Sequence, residues 1–286
     1  LLQTQQQRPA VNWWILGGSA LFVLFSMFMG LGDFRFGQEL VFLGSLGIIL
    51  FLMSRLVMAL DGEARAVLVG TAVIIFVFRA LPGPGAGATW FVIDELGFDQ
   101  QFISLLSLIA SSLTLLGMFI FRRFMAEHSI ATVVIFLTIA GTLLSLPNIG
   151  LYYGIHEWTA ALTGGVVDAR FIAVIDTTLE SPLGQIAMIP MLAWIARSAP
   201  QNLKATFFAV MASFTNLALS ASQLGTRYLN QLFTVTREVR DAASGELVVA
   251  ADYGELGWLL ITVTLLGLLL SLLAVWLVRA SPLRCA

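Results

Sequence analysis

Runs of roughly twenty apolar residues, repeated from one end of the chain to the other, leave it few ways to fold. A helix crossing a hydrocarbon core of about 30 Å at 1.5 Å per residue needs about 20 such residues. Eight stretches qualify: 11–31, 38–60, 65–95, 100–121, 129–153, 170–196, 204–229 and 255–279. Only 11% of the 286 residues are charged, against roughly 25% in a soluble domain, too few to coat a water-facing surface. The fold class is therefore all-α, a polytopic transmembrane helical bundle in a lipid bilayer. A soluble enzyme, a disordered chain and a nucleic-acid binder are excluded; the net charge is −2 and no basic tract occurs. The single cysteine, Cys285, rules out a disulfide framework or a cysteine zinc site. His128 and His156 stand far apart, so no metal or cofactor is expected. The chain begins at Leu1, with no signal peptide before the first run. It reads as a piece of a longer protein.

Basic residues choose the side of each loop. Arg8, Arg55, Arg65, Arg122, Arg123, Arg197, Lys204, Arg279 and Arg284, nine of the fifteen Lys and Arg, fall on the face that carries the N-terminus. That face is assigned to the cytoplasm, and an even number of spans brings the C-terminus back to it. The stretch 230–254 then lies outside. Its two β-prone runs, Thr234–Arg240 and Glu246–Ala251, flank a Ser-Gly turn and suggest a hairpin.

The last six spans form two triplets, and the first member of each is interrupted. Span 65–95 contains Leu81-Pro-Gly-Pro-Gly-Ala-Gly87; span 170–196 contains Glu180-Ser-Pro-Leu-Gly184 and Ile189-Pro190. Proline removes a backbone donor and clashes with the preceding turn. In lipid the freed groups are tolerated only against protein or a watery cavity. Broken helices at matching places in two repeats point to a transport site.

Charges lie in the same two spans. Arg79 is 14 residues after Arg65, about 21 Å along the helix; Asp176 and Glu180 follow Arg170 by about 9 and 15 Å. Each costs roughly 2.5–3.5 kcal/mol at a helix centre, so such residues face a cavity or one another. Asp176 and Glu180, four apart, share a face and resist ionising together. Arg79 and Asp176 come at similar depths and are placed to pair when the site is empty. Thr177, Thr178, Ser181 and Gln185 add polar groups nearby, as do Asn216 and its neighbours in the seventh span. Trp90 stands just past the glycine break, either as a platform for a flat ring or as an interface anchor.

Two segments carry a family likeness. Pro82-Gly-Pro-Gly-Ala-Gly-Ala-Thr-Trp-Phe-Val-Ile-Asp-Glu-Leu-Gly-Phe-Asp-Gln-Gln-Phe102 and Asp176-Thr-Thr-Leu-Glu-Ser-Pro-Leu-Gly-Gln-Ile-Ala-Met-Ile-Pro190 resemble the two strong motifs of the folate–biopterin transporter family, a branch of the major facilitator superfamily. The likeness is greatest to plastid and cyanobacterial members. It implies a major-facilitator bundle in which residues 1–62 are the last two helices of an N-terminal half. Residues 63–286 would be the six-helix C-terminal half, and the first four spans would be missing.

The likeness implies a secondary transporter of folates or pterins working by alternating access, in a bacterial plasma membrane or a plastid envelope. Proton coupling is expected, because no Gly-x-x-x-x-Gly-Lys-Ser/Thr motif is present. The expected substrate contacts are Arg79, which can clamp a carboxylate, with Asp176, Trp90, Thr177, Ser181, Gln185 and Asn216. Glu180 is the proton-coupling candidate, with Asp176 able to exchange roles. Partners are a small-molecule substrate, lipid and protons; the unit is a monomer. The alternatives are a transporter of another organic anion, a membrane-embedded enzyme using Asp176 and Glu180, and a structural subunit.

Overall fold

Short acceptor side chains fix several helix starts. Asp61, Asp99 and Asp168 each accept from the backbone N–H three residues on, at 2.8 Å, and Ser129 does the same at 3.3 Å. Each such cap satisfies one orphan donor and contributes about 1 kcal/mol. The computed structural model describes residues 13–32, 34–58, 60–184, 186, 204–241 and 243–283. Its helices are α1 (Trp13–Leu31), α2 (Gly37–Val57), α3 (Gly62–Arg79), α4 (Ala86–Asp94), α5 (Gln100–Ile120), α6 (Arg122–Glu127) and α7 (Ile130–Leu144). They continue with α8 (Leu146–Tyr152), α9 (Ile155–Leu162), α10 (Ala169–Glu180), a 3₁₀ turn (Ser181–Leu183), α11 (Lys204–Leu232) and α12 (Leu256–Ala280).

Among the described residues, six stretches are long and apolar enough to cross a bilayer: α1, α2, α5, α7 joined to α8, α11 and α12. The third and sixth apolar runs are the discontinuous ones, α3–α4 and α10 with its 3₁₀ turn. The remainder of the sixth run, with Gln185 and Ile189-Pro190, lies outside the described residues. A short helix that the apolar count does not resolve, α9, carries outward Trp158 and Leu162, the pattern of a helix lying at an interface.

Helix α2 packs between α1 and α11, α12 packs on α3 and α7, and α10 lies against α5 and α8. The main core joins α2, α3, α7, α11 and α12 through residues such as Leu52, Leu68, Ile74, Phe207, Met211 and Val275. Large apolar side chains also point outward, among them Phe28, Leu108, Phe119, Leu269 and Trp276. Water would penalise such a surface and a bilayer covers it. The chain is an integral, multi-pass helical membrane protein.

One end of the bundle is tied by ion pairs. Arg170 at the start of α10 reaches Asp99 at 3.0 Å. Arg237 grips Asp94, at the end of α4, with two bonds of 2.9 and 2.8 Å, and the Tyr253 hydroxyl donates to the same carboxylate at 2.6 Å. Burial, then this bond, pushes the Tyr253 phenol up to about 12. Between Arg237 and Tyr253 a two-stranded antiparallel hairpin stands out: β1 (Val239–Arg240) faces β2 (Leu247–Val249). Its turn is closed by the Asp241 carboxylate, which accepts from the backbone of Ala243 and Ser244 at 2.9 and 2.7 Å. The Ser244 bond holds that carboxyl below the usual carboxylate range.

Candidate functional site

The first break lies between Arg79 and Ala86. Pro82 and Pro84 cannot donate, and Gly85, at φ +74°, starts α4 from a conformation that favours glycine. A Cβ there would also stand 2.8 Å from Asn230 Nδ2. The freed backbone groups are met by three side chains of α11. Ser222 Oγ donates to the Leu81 carbonyl at 2.6 Å, Gly83 N–H donates to Thr226 Oγ1 at 2.8 Å, and Asn230 Nδ2 donates to the Pro84 carbonyl at 3.3 Å. The spacing 222, 226, 230 puts all three on one helix face. Arg79, the last residue of α3, is half-buried; its Nε is buried and has no hydrogen-bond partner among the described residues.

The second break follows Glu180. Ser181 Oγ donates to the Thr177 carbonyl, and Thr114 Oγ1 of α5 donates to the Ser181 carbonyl at 2.9 Å. Helix α5 approaches so closely that a Cβ on Gly117 would lie 2.1 Å from the Pro182 carbonyl oxygen. One turn earlier, Asp176 is 6% exposed. Its Oδ2 accepts from Asn148 Nδ2 of α8 at 2.7 Å, while its Oδ1 is buried without a partner among the described residues.

The structure separates several residues that depth alone groups together. No ion pair joins Arg79 to Asp176 among the described residues; equal height on two helices does not make their side chains face each other. Asp176 is buried, whereas Glu180 is exposed. Ser181 commits its hydroxyl to the end of α10, and the half-buried Thr177 supplies the carbonyl it caps. Trp90 packs in the cluster of Phe91, Tyr152, Tyr253 and Leu256, as an anchor would. Gln185 lies outside the described residues. No group of His, Cys, Asp or Glu among the described residues has a metal-binding arrangement.

Asn216 belongs to a different place, a cavity of about 1210 Å³ between α11 and the α1–α2 pair. Its α11 wall carries a polar stripe, Ser213, Asn216, Ser220, Gln223 and Arg227, bordered by Leu217 and Leu224. The facing wall carries Phe22, Met29, Phe34, Phe36 and Phe42, with Gln38 and Ser45. At the mouth, Arg227 Nη1 lies 2.9 Å from Gln38 Oε1 and 3.4 Å from Glu39 Oε1, and the Tyr228 hydroxyl donates to that Glu39 oxygen at 2.6 Å.

Sequence reasoning missed Asn148 and the grouping of Gln38, Glu39 and Arg227. A signal for Asn148 was present, an amide beside Pro147 inside an apolar run. No local signal links residue 39 to residue 227.

The profile of the BT1 family matches residues 40–284. A protein of Synechocystis sp. named "Folate-biopterin transporter" is 29% identical over 144 residues, 50% of this chain and 28% of that protein. A protein of Plasmodium berghei whose name includes "folate transporter 2" is 25% identical over 169 residues, 57% of this chain and 34% of that protein. The matched stretches thus span about a third or less of these curated relatives. No solved structure matches the chain. The match over most of the sequence, on a bundle with two broken spans, establishes that the chain belongs to the BT1 family.

Proposed function

We propose that the protein is a secondary active carrier, not an enzyme, that moves folates or pterins across a membrane by alternating access with proton coupling. The observation that carries this is buried polar charge left open near both broken spans: Arg79 Nε and Asp176 Oδ1, each buried and without a hydrogen-bond partner among the described residues. Charge at such depth is expensive unless a ligand, a proton or a watery path uses it. The names of the two relatives support the substrate class. Residues 1–62 and 63–286 act as the end of one half and the whole of the other, as a monomer in a bacterial plasma membrane or a plastid envelope.

In this reading Arg79 is the interior cation and Asp176 the acceptor for the donor edge of a pterin ring. Glu180, beside the proline break, takes up and releases the coupling proton. Trp90, Thr177, Ser181 and Gln185 complete the contact set near the breaks, and Asn216 contacts substrate separately, from the cavity between α11 and the α1–α2 pair. The test is uptake of labelled folate and of other organic anions by the full-length protein in a folate-transport-deficient host, with and without a pH gradient. Folate uptake that rises with an inward proton gradient is expected. Uptake of other anions with none of folate overturns the substrate assignment, and folate uptake indifferent to the gradient overturns the coupling.

A further inference from the structure

The cavity between α11 and the α1–α2 pair is built unlike a packing defect. Ser213, Asn216, Ser220, Gln223 and Arg227 recur at intervals of three and four, which makes one continuous stripe along α11. Residues 216 and 227 are about 16 Å apart along the helix axis. Opposite them stand Phe22, Phe34 and Phe42. A polar edge facing an aromatic wall suits a flat heterocycle, whose ring stacks on one side and hydrogen-bonds on the other.

The mouth is charged and strained. Arg227 uses only Nη1 on Gln38 and Glu39. Its Nη2 and Nε have no hydrogen-bond partner among the described residues, and its side chain is about half exposed. The planar fork that binds a carboxylate in two places is therefore still open. Glu39 pairs with Nη1 through the oxygen that also accepts from the Tyr228 hydroxyl, so an incoming carboxylate shares the guanidinium with it and takes the open Nη2–Nε edge. Phe36, at the same mouth, is the one non-glycine residue with positive φ among the described residues, at +61°, and Arg35 stacks on its ring at 5.4 Å. Such strain in a bulky residue clusters where a ligand is gripped.

We propose that this cavity binds an elongated anion with a flat hydrogen-bonding ring at one end and a carboxylate at the other. In this cavity, a place separate from the contacts at Arg79 and Asp176, the ring lies by Asn216 and Ser220 and the carboxylate is held by Arg227. This rests on the folate and pterin reading above and adds a division of labour to it. The ring-end residues serve every pterin, whereas Arg227 serves only substrates with the acidic tail.

The test is equilibrium binding of folic acid and of free biopterin, which lacks the carboxylate, to full-length protein in nanodiscs. Arg227→Ala is expected to weaken folic acid about ten- to a hundredfold, the value of a lost charge-assisted pair, and to leave biopterin within about twofold. Asn216→Leu is expected to weaken both probes about tenfold. Arg227→Gln keeps a donor for Glu39 and serves if Arg227→Ala does not fold; the same selective loss is expected of it. If the wild-type protein binds both probes and these variants bind them equally well, the cavity seats something else, such as another helix. The inference then fails while the folate reading stands. If the wild-type protein binds neither probe, the folate reading fails and takes the inference with it.

Discussion

Gly117→Ala adds a single methyl group where α5 meets the turn after α10, and the structure sets its effect. The new Cβ would lie 2.1 Å from the Pro182 carbonyl oxygen and 2.6 Å from two further Pro182 backbone atoms, where ordinary contact begins at 3.4 Å. Backbone stands on both sides, so no rotamer change relieves the clash. The two segments must part by about 1.3 Å, the step from 2.1 to 3.4 Å. Overpacking of this kind costs about 1–3 kcal/mol. Parting the segments also stretches the bond from Thr114 to the Ser181 carbonyl, worth about 1 kcal/mol. Alanine's better helix propensity returns about 0.5–1 kcal/mol, so the net loss is about 1–3 kcal/mol. Gly141→Ala in α7 is the control: nothing lies within 4 Å of its Cβ, so only the propensity gain applies. Thermal unfolding of the purified protein in detergent should show Gly117→Ala below the wild type and Gly141→Ala at or above it. At roughly 2–4 °C per kcal/mol, the two variants should differ by about 3–15 °C. Equal midpoints would refute the claim that this glycine seats the second break on α5.

Four further predictions address the charges. Arg79→Ala should cut uptake of glutamate-bearing folates about ten- to a hundredfold and that of free pterins less; Arg79→Lys should restore little, lacking the planar fork. The Arg79→Ala/Asp176→Ala double variant should express no better than either single one, because the two are not paired; recovery in immunoblots would show a structural ion pair. Glu180→Gln should abolish pH-driven accumulation in proteoliposomes while counterflow exchange continues; accumulation equal to wild type would remove Glu180 from proton coupling. Arg237→Met removes both bonds to Asp94 and should raise amide hydrogen exchange across residues 234–253, with unchanged exchange showing that the clamp does not order this loop.

Much of the architecture is legible because a bilayer imposes one requirement, the apolar run, that shows locally in the sequence. The proline and glycine residues of 81–87 likewise mark a break that the structure places between Arg79 and Ala86. What completes each break is another matter. Leu81, Gly83 and Pro84 find their partners 141 to 146 residues away, and nothing near residue 84 specifies Asn230. The charges fail for a related reason. Counting residues gives depth along a helix but not the direction a side chain takes around its axis. Thus Arg79 and Asp176 match in height yet do not meet, and Asp176 turns to Asn148 instead.

Helix α11 contributes side chains to both the break and the cavity. At about 100° per residue, Ser222, Thr226 and Asn230 centre on one direction, and Ser213, Asn216, Ser220, Gln223 and Arg227 centre roughly 100° around the helix from it. The first face saturates the backbone of the α3–α4 break, and the second lines the cavity. Each face alone has an ordinary explanation, since hydroxyls in membrane helices commonly serve packing. Together they constrain movement. A rigid helix cannot turn its cavity face without turning the face that holds Leu81, Gly83 and Pro84. Three hydrogen bonds at the break make independent motion costly, because a backbone group freed in lipid finds no water to replace its partner. A ligand bound as proposed by Arg227 and Asn216, if it drew them inward, would therefore pull on the segment carrying Arg79, the proposed interior cation. The physical link between the break and the cavity is one helix with two polar faces.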